Sequence, residues 1–289
     1  MKETKGNGEF YEIFGTKFRR VTSILARLKR FGLEEWQATC AVDFMMSELV
    51  VPLHKGWMTI EQLRETDLER VRRSAMDESR KRMLTAQNKG RDVHKAIHDY
   101  YAAGQDPAVL ERIVKTDPDI ALPIGAFQKW ERGYHVDMAA SERQVLSVSR
   151  RYAGTLDLEA GIVLPNEDYG EKENSRHYVI DFKTGNPDPV SVLQVAAYVV
   201  AVEEMDHCRI DGAGIVYLNR ETGIPRWKGY SRNELLLPFL LFEKIKSFVD
   251  MEYDWRKKEP DEEGPPDTPM PPPAAPPAGT PPGGSSSIF

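Results

Sequence analysis

Through the first half of the chain, apolar residues recur at helical spacing. Val21, Ile24, Leu25 and Leu28 fall on one face of a helix expected from Val21 to Arg30. A second helix is expected from Leu33 to Leu49, after Gly32, a helix stop. Thr59 is placed to cap a helix through Leu63, with Glu61 and Glu65 early in it. A long charged helix follows from about Asp67 to Gln87. Asn88 and Gly90 are expected to break it, and a new helix to start near Asp92. In that helix Val93, Ile97 and Tyr101 face inward, and Gly104 ends it. Two further helices are expected, Pro107 to Val114 and Ile124 to Gly133.

The period then shortens. Gln144 to Ser149 and Tyr152 to Leu164 alternate as strands do. Pro165 to Arg176 is a polar, turn-rich loop, and His177 to Phe182 is a second strand, so an antiparallel hairpin is expected. Pro189 to Met205 reads as an apolar helix with Pro189 in its first turn. Gly212 to Leu218 and Pro225 to Gly229 are strands, and Ser231 caps a last helix through about Lys257. The order predicts an α/β protein, a central mixed β-sheet flanked by helices. Residues 1–88 form a helical N-terminal region, 89–258 the core, and 259–289 a tail. The tail is rich in Pro, Gly, Ala and Ser and is expected to be disordered, because it cannot bury enough apolar surface to offset its ordering entropy.

Composition narrows the class. With 289 residues, 40% hydrophobic and 29% charged, the chain can build a packed core. No apolar run of about 18 residues occurs, so no membrane span or membrane partner is expected. Met1 to Glu12 lacks the apolar stretch of a secretory signal. Two cysteines, Cys40 and Cys208, exclude a disulfide framework and a four-cysteine metal or iron–sulfur site. The expectation is the cytoplasm, bacterial or of a phage-infected cell. The net charge of −6 does not resemble a nucleic-acid binder, but the charge is uneven. Lys17, Arg19, Arg20, Arg27, Lys29 and Arg30 form one basic run, and Arg80, Lys81, Arg82, Lys89 and Arg91 another. Each run alone reads as a solvated face; two of them ahead of an acidic motif point toward phosphate contacts.

The chemistry centres on Val179-Ile180-Asp181-Phe182-Lys183-Thr184-Gly185. Residues two apart on a strand share a face, so Asp181 and Lys183 point one way and Ile180 and Phe182 the other. An acid and a base in an apolar strand are costly to bury unless paired or bound to an ion. A salt bridge at an exposed strand end is the plainer alternative. Asp157, in Gly154-Thr155-Leu156-Asp157-Leu158, is another acid in a core-like strand. If the hairpin forms, the two carboxylates come together and repel unless a cation lies between them. Oxygen ligands favour Mg²⁺ or Mn²⁺ over zinc. Such a site suits phosphodiester hydrolysis, with Lys183 either handling the attacking water or stabilising the transition state.

These motifs resemble the PD-(D/E)XK nuclease superfamily, in particular its RecB-like branch of phage-type exonucleases, CRISPR-adaptation nucleases and the mitochondrial genome maintenance exonuclease. The resemblance covers about two thirds of the chain. It rests on Gly90-Arg91-Asp92-Val93-His94, Ser141-Glu142-Arg143, Tyr152 to Asp157, Ile180 to Gly185 and Gln194-Val195-Ala196-Ala197-Tyr198. Val21 to Leu25, with Trp36 downstream, resembles the branch's N-terminal start. The resemblance implies a restriction-endonuclease-like sheet. It implies His94, Asp157, Asp181 and the Ile180 carbonyl as metal ligands, Lys183 as the catalytic lysine, and Glu142 as a further catalytic acid. Gln194, Tyr198 and Arg91 would brace the site or touch DNA. Some relatives carry four cysteines around an iron–sulfur cluster, which this chain lacks.

Three readings follow. The first is a Mg²⁺- or Mn²⁺-dependent deoxyribonuclease, an exonuclease of recombination, replication, repair or phage DNA processing, acting on single- or double-stranded ends. The second is a non-catalytic DNA-binding module on the same fold, since folds do not fix function. The third is an interaction protein working through the apolar tip Ile288-Phe289 of its tail. Trp36, Trp130 and Tyr134 are candidates either for base stacking or for the core.

Overall fold

A computed structural model describes residues 8–28, 33–165 and 175–258. Lys29, Arg30, Gly32 and the tail with Ile288 and Phe289 lie outside the described residues. The strands are β1 Phe10–Ile13, β2 Thr16–Arg20, β3 Asp137–Ser147, β4 Tyr152–Ile162, β5 Arg176–Lys183, β6 Gly212–Leu218 and β7 Pro225–Ser231. The helices are α1 Val21–Leu25, α2 Leu33–Met45, α3 Val51–His54, α4 Ile60–Glu65 and α5 Leu68–Ala102. They continue with α6 Pro107–Thr116, α7 Ala121–Tyr134, α8 Val190–Asp206 and α9 Leu236–Lys258. The chain divides after Val249 into a main unit and a second one beginning at Asp250.

The fold is α/β. One mixed seven-stranded sheet runs β1-β2-β4-β5-β6-β7, with β3 paired to β4. β2–β4 and β5–β6 are parallel, and the other pairs are antiparallel. α8 makes the crossover between the parallel β5 and β6, a connection that an antiparallel hairpin turn cannot supply. Period-two alternation splits the apolar residues of the sheet between two layers. Val179, Ala213, Ile215 and Tyr217 pack with α1, α8 and the Phe239–Phe242 stretch of α9. Tyr178, Ile180, Phe182, Val216 and Leu218 pack with α7 and the second half of α5. Helices therefore cover both faces of the sheet, and the core is its two sides.

Three sequence expectations are corrected. First, the region before residue 88 is not all helical: β1 and β2 form a hairpin that joins the sheet. Phe14 and Gly15 link its strands with φ of 50° and 74°. That is the twist a two-residue hairpin turn requires, made without the usual Asn-Gly signal. Second, α5 does not break at Asn88 and Gly90 but runs unbroken for 35 residues, about 50 Å. The expected boundary between residues 88 and 89 thus falls inside a helix. One mid-helix glycine costs about 1 kcal/mol relative to alanine, which a long helix tolerates. Gly90 also lets α5 approach the bend after β5 closely, since a Cβ there would lie 3.2 Å from Thr184 Oγ1. Third, Ser231 ends β7, and its N–H and hydroxyl both bond Glu234 Oε2 at 2.7 Å; α9 begins only at Leu236.

The Thr59 cap acts as read, and the structure adds others. Thr59 and Gln62 cap α4 reciprocally, Asp67 accepts the Arg70 N–H to start α5, and Asp106 with Pro107 starts α6. Among the described residues no helix is long and apolar enough to cross a membrane.

Candidate metal centre

The site forms where the sheet forks. One edge of β4 pairs β2 at Tyr152 and Ala153, then β5 from Leu158 to Ile162. The stretch Gly154 to Asp157 lies between these two ladders. There the Asp157 carboxylate takes over from the backbone, and its Oδ2 accepts the Phe182 N–H at 2.8 Å. This satisfies a main-chain donor of β5 just past the last β4–β5 pair, Leu158 with Ile180. The even-numbered residues of β4 also change layers here: Leu156 packs on the α8 side and Leu158 on the α7 side.

Three elements bring groups that could ligate a cation to the fork. His94 comes from α5, and its Nδ1 lies 3.3 Å from Asp157 Oδ1. Glu142 comes from β3. Its neighbours Ser141 and Arg143 pair with Leu158 and Leu156, so Glu142 stands opposite Asp157. Glu142 has φ 51°, a left-handed conformation rare for a non-glycine residue in a strand. Ligand atoms of His94, Glu142 and Asp157 all lie within 4.8 Å of one another.

Asp181 and Lys183 stand beside this cluster on β5. Lys183 Nζ is 3.0 Å from Asp181 Oδ1 and 2.7 Å from Oδ2, and it donates to Gln194 Oε1 at 3.3 Å. Gln194 Nε2 bonds Asp181 Oδ1 at 3.0 Å and Tyr198 OH at 3.3 Å. Gln194 and Tyr198 share one face of α8, as residues four apart on a helix must. The Tyr198 ring fills the space a side chain at Gly154 would take: a Cβ there would sit 2.4 Å from Tyr198 Cε1. The missing side chain at Gly154 therefore lets α8 close over the fork. Tyr11 OH from β1 lies 3.3 Å from Thr155 Oγ1, a contact with no sequence signature.

The charges are strongly coupled. Burial works against a charged His94, but the carboxylates of Asp157 and Asp181 outweigh it and push His94 up to about 9. Burial likewise opposes the Asp157 charge, yet His94, Lys183 and the Phe182 N–H hold its carboxyl below the usual range. Burial and the nearby Asp157 charge push Asp181 up to about 6 despite Lys183. Partial desolvation of its carboxyl and the nearby Asp157 charge also raise Glu142, although the residue is exposed. The positive charges among these crowded carboxylates are His94 and Lys183. Asp181 Oδ2 is a buried oxygen held in an ion pair with the Lys183 ammonium at 2.7 Å. One imidazole nitrogen, several carboxylate oxygens and this oxygen form a donor set that suits a divalent cation.

The remaining sequence candidates are placed as follows. The Ile180 side chain is buried in the α7 layer, and its main chain borders the fork at the last β4–β5 pair. Arg91 is exposed on α5, one turn before His94, and its guanidinium bonds Asn88 Oδ1. Arg19 is buried against Glu9 and the Phe10 ring, and Lys89 is held by Asp117 and Asp119. Those two cations are therefore engaged within the protein. Trp130 is buried and stacks on both Tyr134 and Trp227, which also touch each other, so it serves the core. Trp36 is partly exposed on α2. His98 is not among the sequence candidates, yet its Nδ1 lies 2.8 Å from Ser141 Oγ, beside Glu142. The one available signal was that His98 repeats one turn after His94. No protein-family model matches the chain, and no curated protein matches it.

Proposed function

We propose that the chain is a nuclease of the PD-(D/E)XK type, RecB-like branch. In this reading it is a Mg²⁺- or Mn²⁺-dependent deoxyribonuclease that hydrolyses phosphodiester bonds at DNA ends, on a restriction-endonuclease-like sheet. The observation that carries this reading is the convergence of His94, Glu142 and Asp157 within 4.8 Å at the fork, with the Asp181–Lys183 ion pair beside them.

His94, Glu142, Asp157 and Asp181 are the residues that would hold the cation. When bound, a divalent cation supplies charge neutralisation at the scissile phosphate and lowers the pKa of water. The protein's own groups do the rest. The Lys183 ammonium donates to Asp181 and Gln194, which fix its position. An ammonium fixed at this point stabilises negative charge developing on a phosphoryl group. Gln194 holds Asp181 Oδ1 and so fixes the carboxylate that orients Lys183. Tyr198 packs on Gly154 and closes the α8 side of the fork.

The test is incubation of end-labelled and internally labelled DNA, single- and double-stranded, with Mn²⁺ or Mg²⁺ and with a chelator. Metal-dependent shortening from the ends is the expected result. Internal nicking would make the protein an endonuclease. No cutting with DNA binding intact would favour a non-catalytic binding module.

A further inference from the structure

Glu142 is pinned from both flanks. Its left-handed backbone is a conformation that a side-chain-bearing residue keeps only where its surroundings over-determine it. On one side, Ser141 Oγ and His98 Nδ1 lie 2.8 Å apart and tie β3 to α5. On the other, Arg143 binds Glu159 Oε2 at 2.5 Å and both carboxylate oxygens of Asp206 at 2.6 and 2.7 Å, which ties β3 to the end of α8. Glu159 is itself buried and held by His177 Nε2 at 2.9 Å, so the Arg143 anchor is firm. The two anchors reach helices on opposite faces of the sheet, and Glu142 is the residue between them. His98 lies one turn beyond His94, so the helix that supplies a ligand also sets the backbone that presents another.

We propose that His98 and Ser141 are positioning residues: their hydrogen bond holds Glu142 in its left-handed conformation and keeps its carboxylate in the His94–Asp157 cluster. The inference rests on the reading that this cluster takes a divalent cation. Neither residue belongs to the cluster; both act through Glu142. Partners at one remove from a metal ligand typically change metal affinity by roughly 10–100-fold when lost.

The experiment is Mn²⁺ titration of the full chain by calorimetry, with the melting temperature of each metal-free variant measured alongside. Ser141→Ala and His98→Leu should weaken Mn²⁺ binding by roughly 10–100-fold and leave the metal-free melting temperature near that of the wild type. Ser141→Thr keeps the hydroxyl, and His98→Asn places an amide near the Nδ1 position; both should retain affinity. In a Glu142→Ala background, Ser141→Ala should have no further effect, because the coupling runs through Glu142. Wild-type affinity in Ser141→Ala and His98→Leu would overturn the proposal, and so would an equal loss in the Glu142→Ala background. Absence of Mn²⁺ binding by the wild type would overturn the metal reading and this proposal with it. Binding by the wild type that survives Ser141→Ala would overturn this proposal alone.

Discussion

Nδ1 of His94 lies 3.3 Å from Oδ1 of Asp157, where a helix on the α7 side of the sheet meets the strand at which the sheet forks. The contact joins two elements that come together only in the tertiary fold. It also sets the charge state of the site, because each partner favours the ionised form of the other.

The metal-free protein should lose stability as the pH rises. His94 is raised from 6.5 to about 9, burial opposing the shift and Asp157 with Asp181 driving it. His177 is raised by its hydrogen bond to Glu159. A raised histidine contributes stability in full below its unfolded value of about 6.5, and this is lost as the pH climbs through the folded value. Urea midpoints should therefore fall between pH 6.5 and about 9. His94→Gln should flatten that fall; a midpoint independent of pH over this range would refute the assigned coupling.

A divalent cation should stabilise the folded protein. At a concentration about 100 times the dissociation constant, binding to the native state adds about 2.7 kcal/mol, which raises the melting temperature by roughly 5–10 °C. Mn²⁺ should act at lower concentration than Mg²⁺, because the donor set includes an imidazole and Mg²⁺ prefers oxygen and water. Asp157→Asn should abolish both shifts in a thermal melt. An equal shift in that variant would place the cation elsewhere.

Gly154→Ala should be destabilising although the change is a single methyl group. The added Cβ would lie 2.4 Å from Tyr198 Cε1, and that ring is buried, with its hydroxyl accepting from Gln194 Nε2. Overpacking of this kind costs about 1–3 kcal/mol. Denaturant titration should show the loss. The smaller variant Tyr198→Leu in the same background should recover part of it by removing the obstructing ring.

Much of the site was legible in the sequence because its parts lie on regular elements. Alternation in Val179 to Lys183 correctly put Asp181 and Lys183 on the face opposite Ile180 and Phe182, and β6 was read with its observed bounds. The fork itself was not legible. It depends on β2 pairing with β4 across more than a hundred residues, and the β1–β2 turn carries Phe14-Gly15 in place of a familiar turn pair. The unbroken α5 was also hidden. Gly90 reads locally as a breaker, and its actual use, close approach to Thr184, is a tertiary fact. The left-handed Glu142 and its anchors at His98 and Arg143 are likewise products of packing between layers.

The most direct test of the central claim is Mn²⁺-dependent cleavage of labelled DNA by the wild type and by Lys183→Ala, with Mn²⁺ affinity measured on both. The account predicts cutting by the wild type, a drop of roughly 10²–10⁴-fold in the variant, and Mn²⁺ binding in both. Undiminished cutting by Lys183→Ala, or no cutting by the wild type with Mn²⁺ bound, would contradict it.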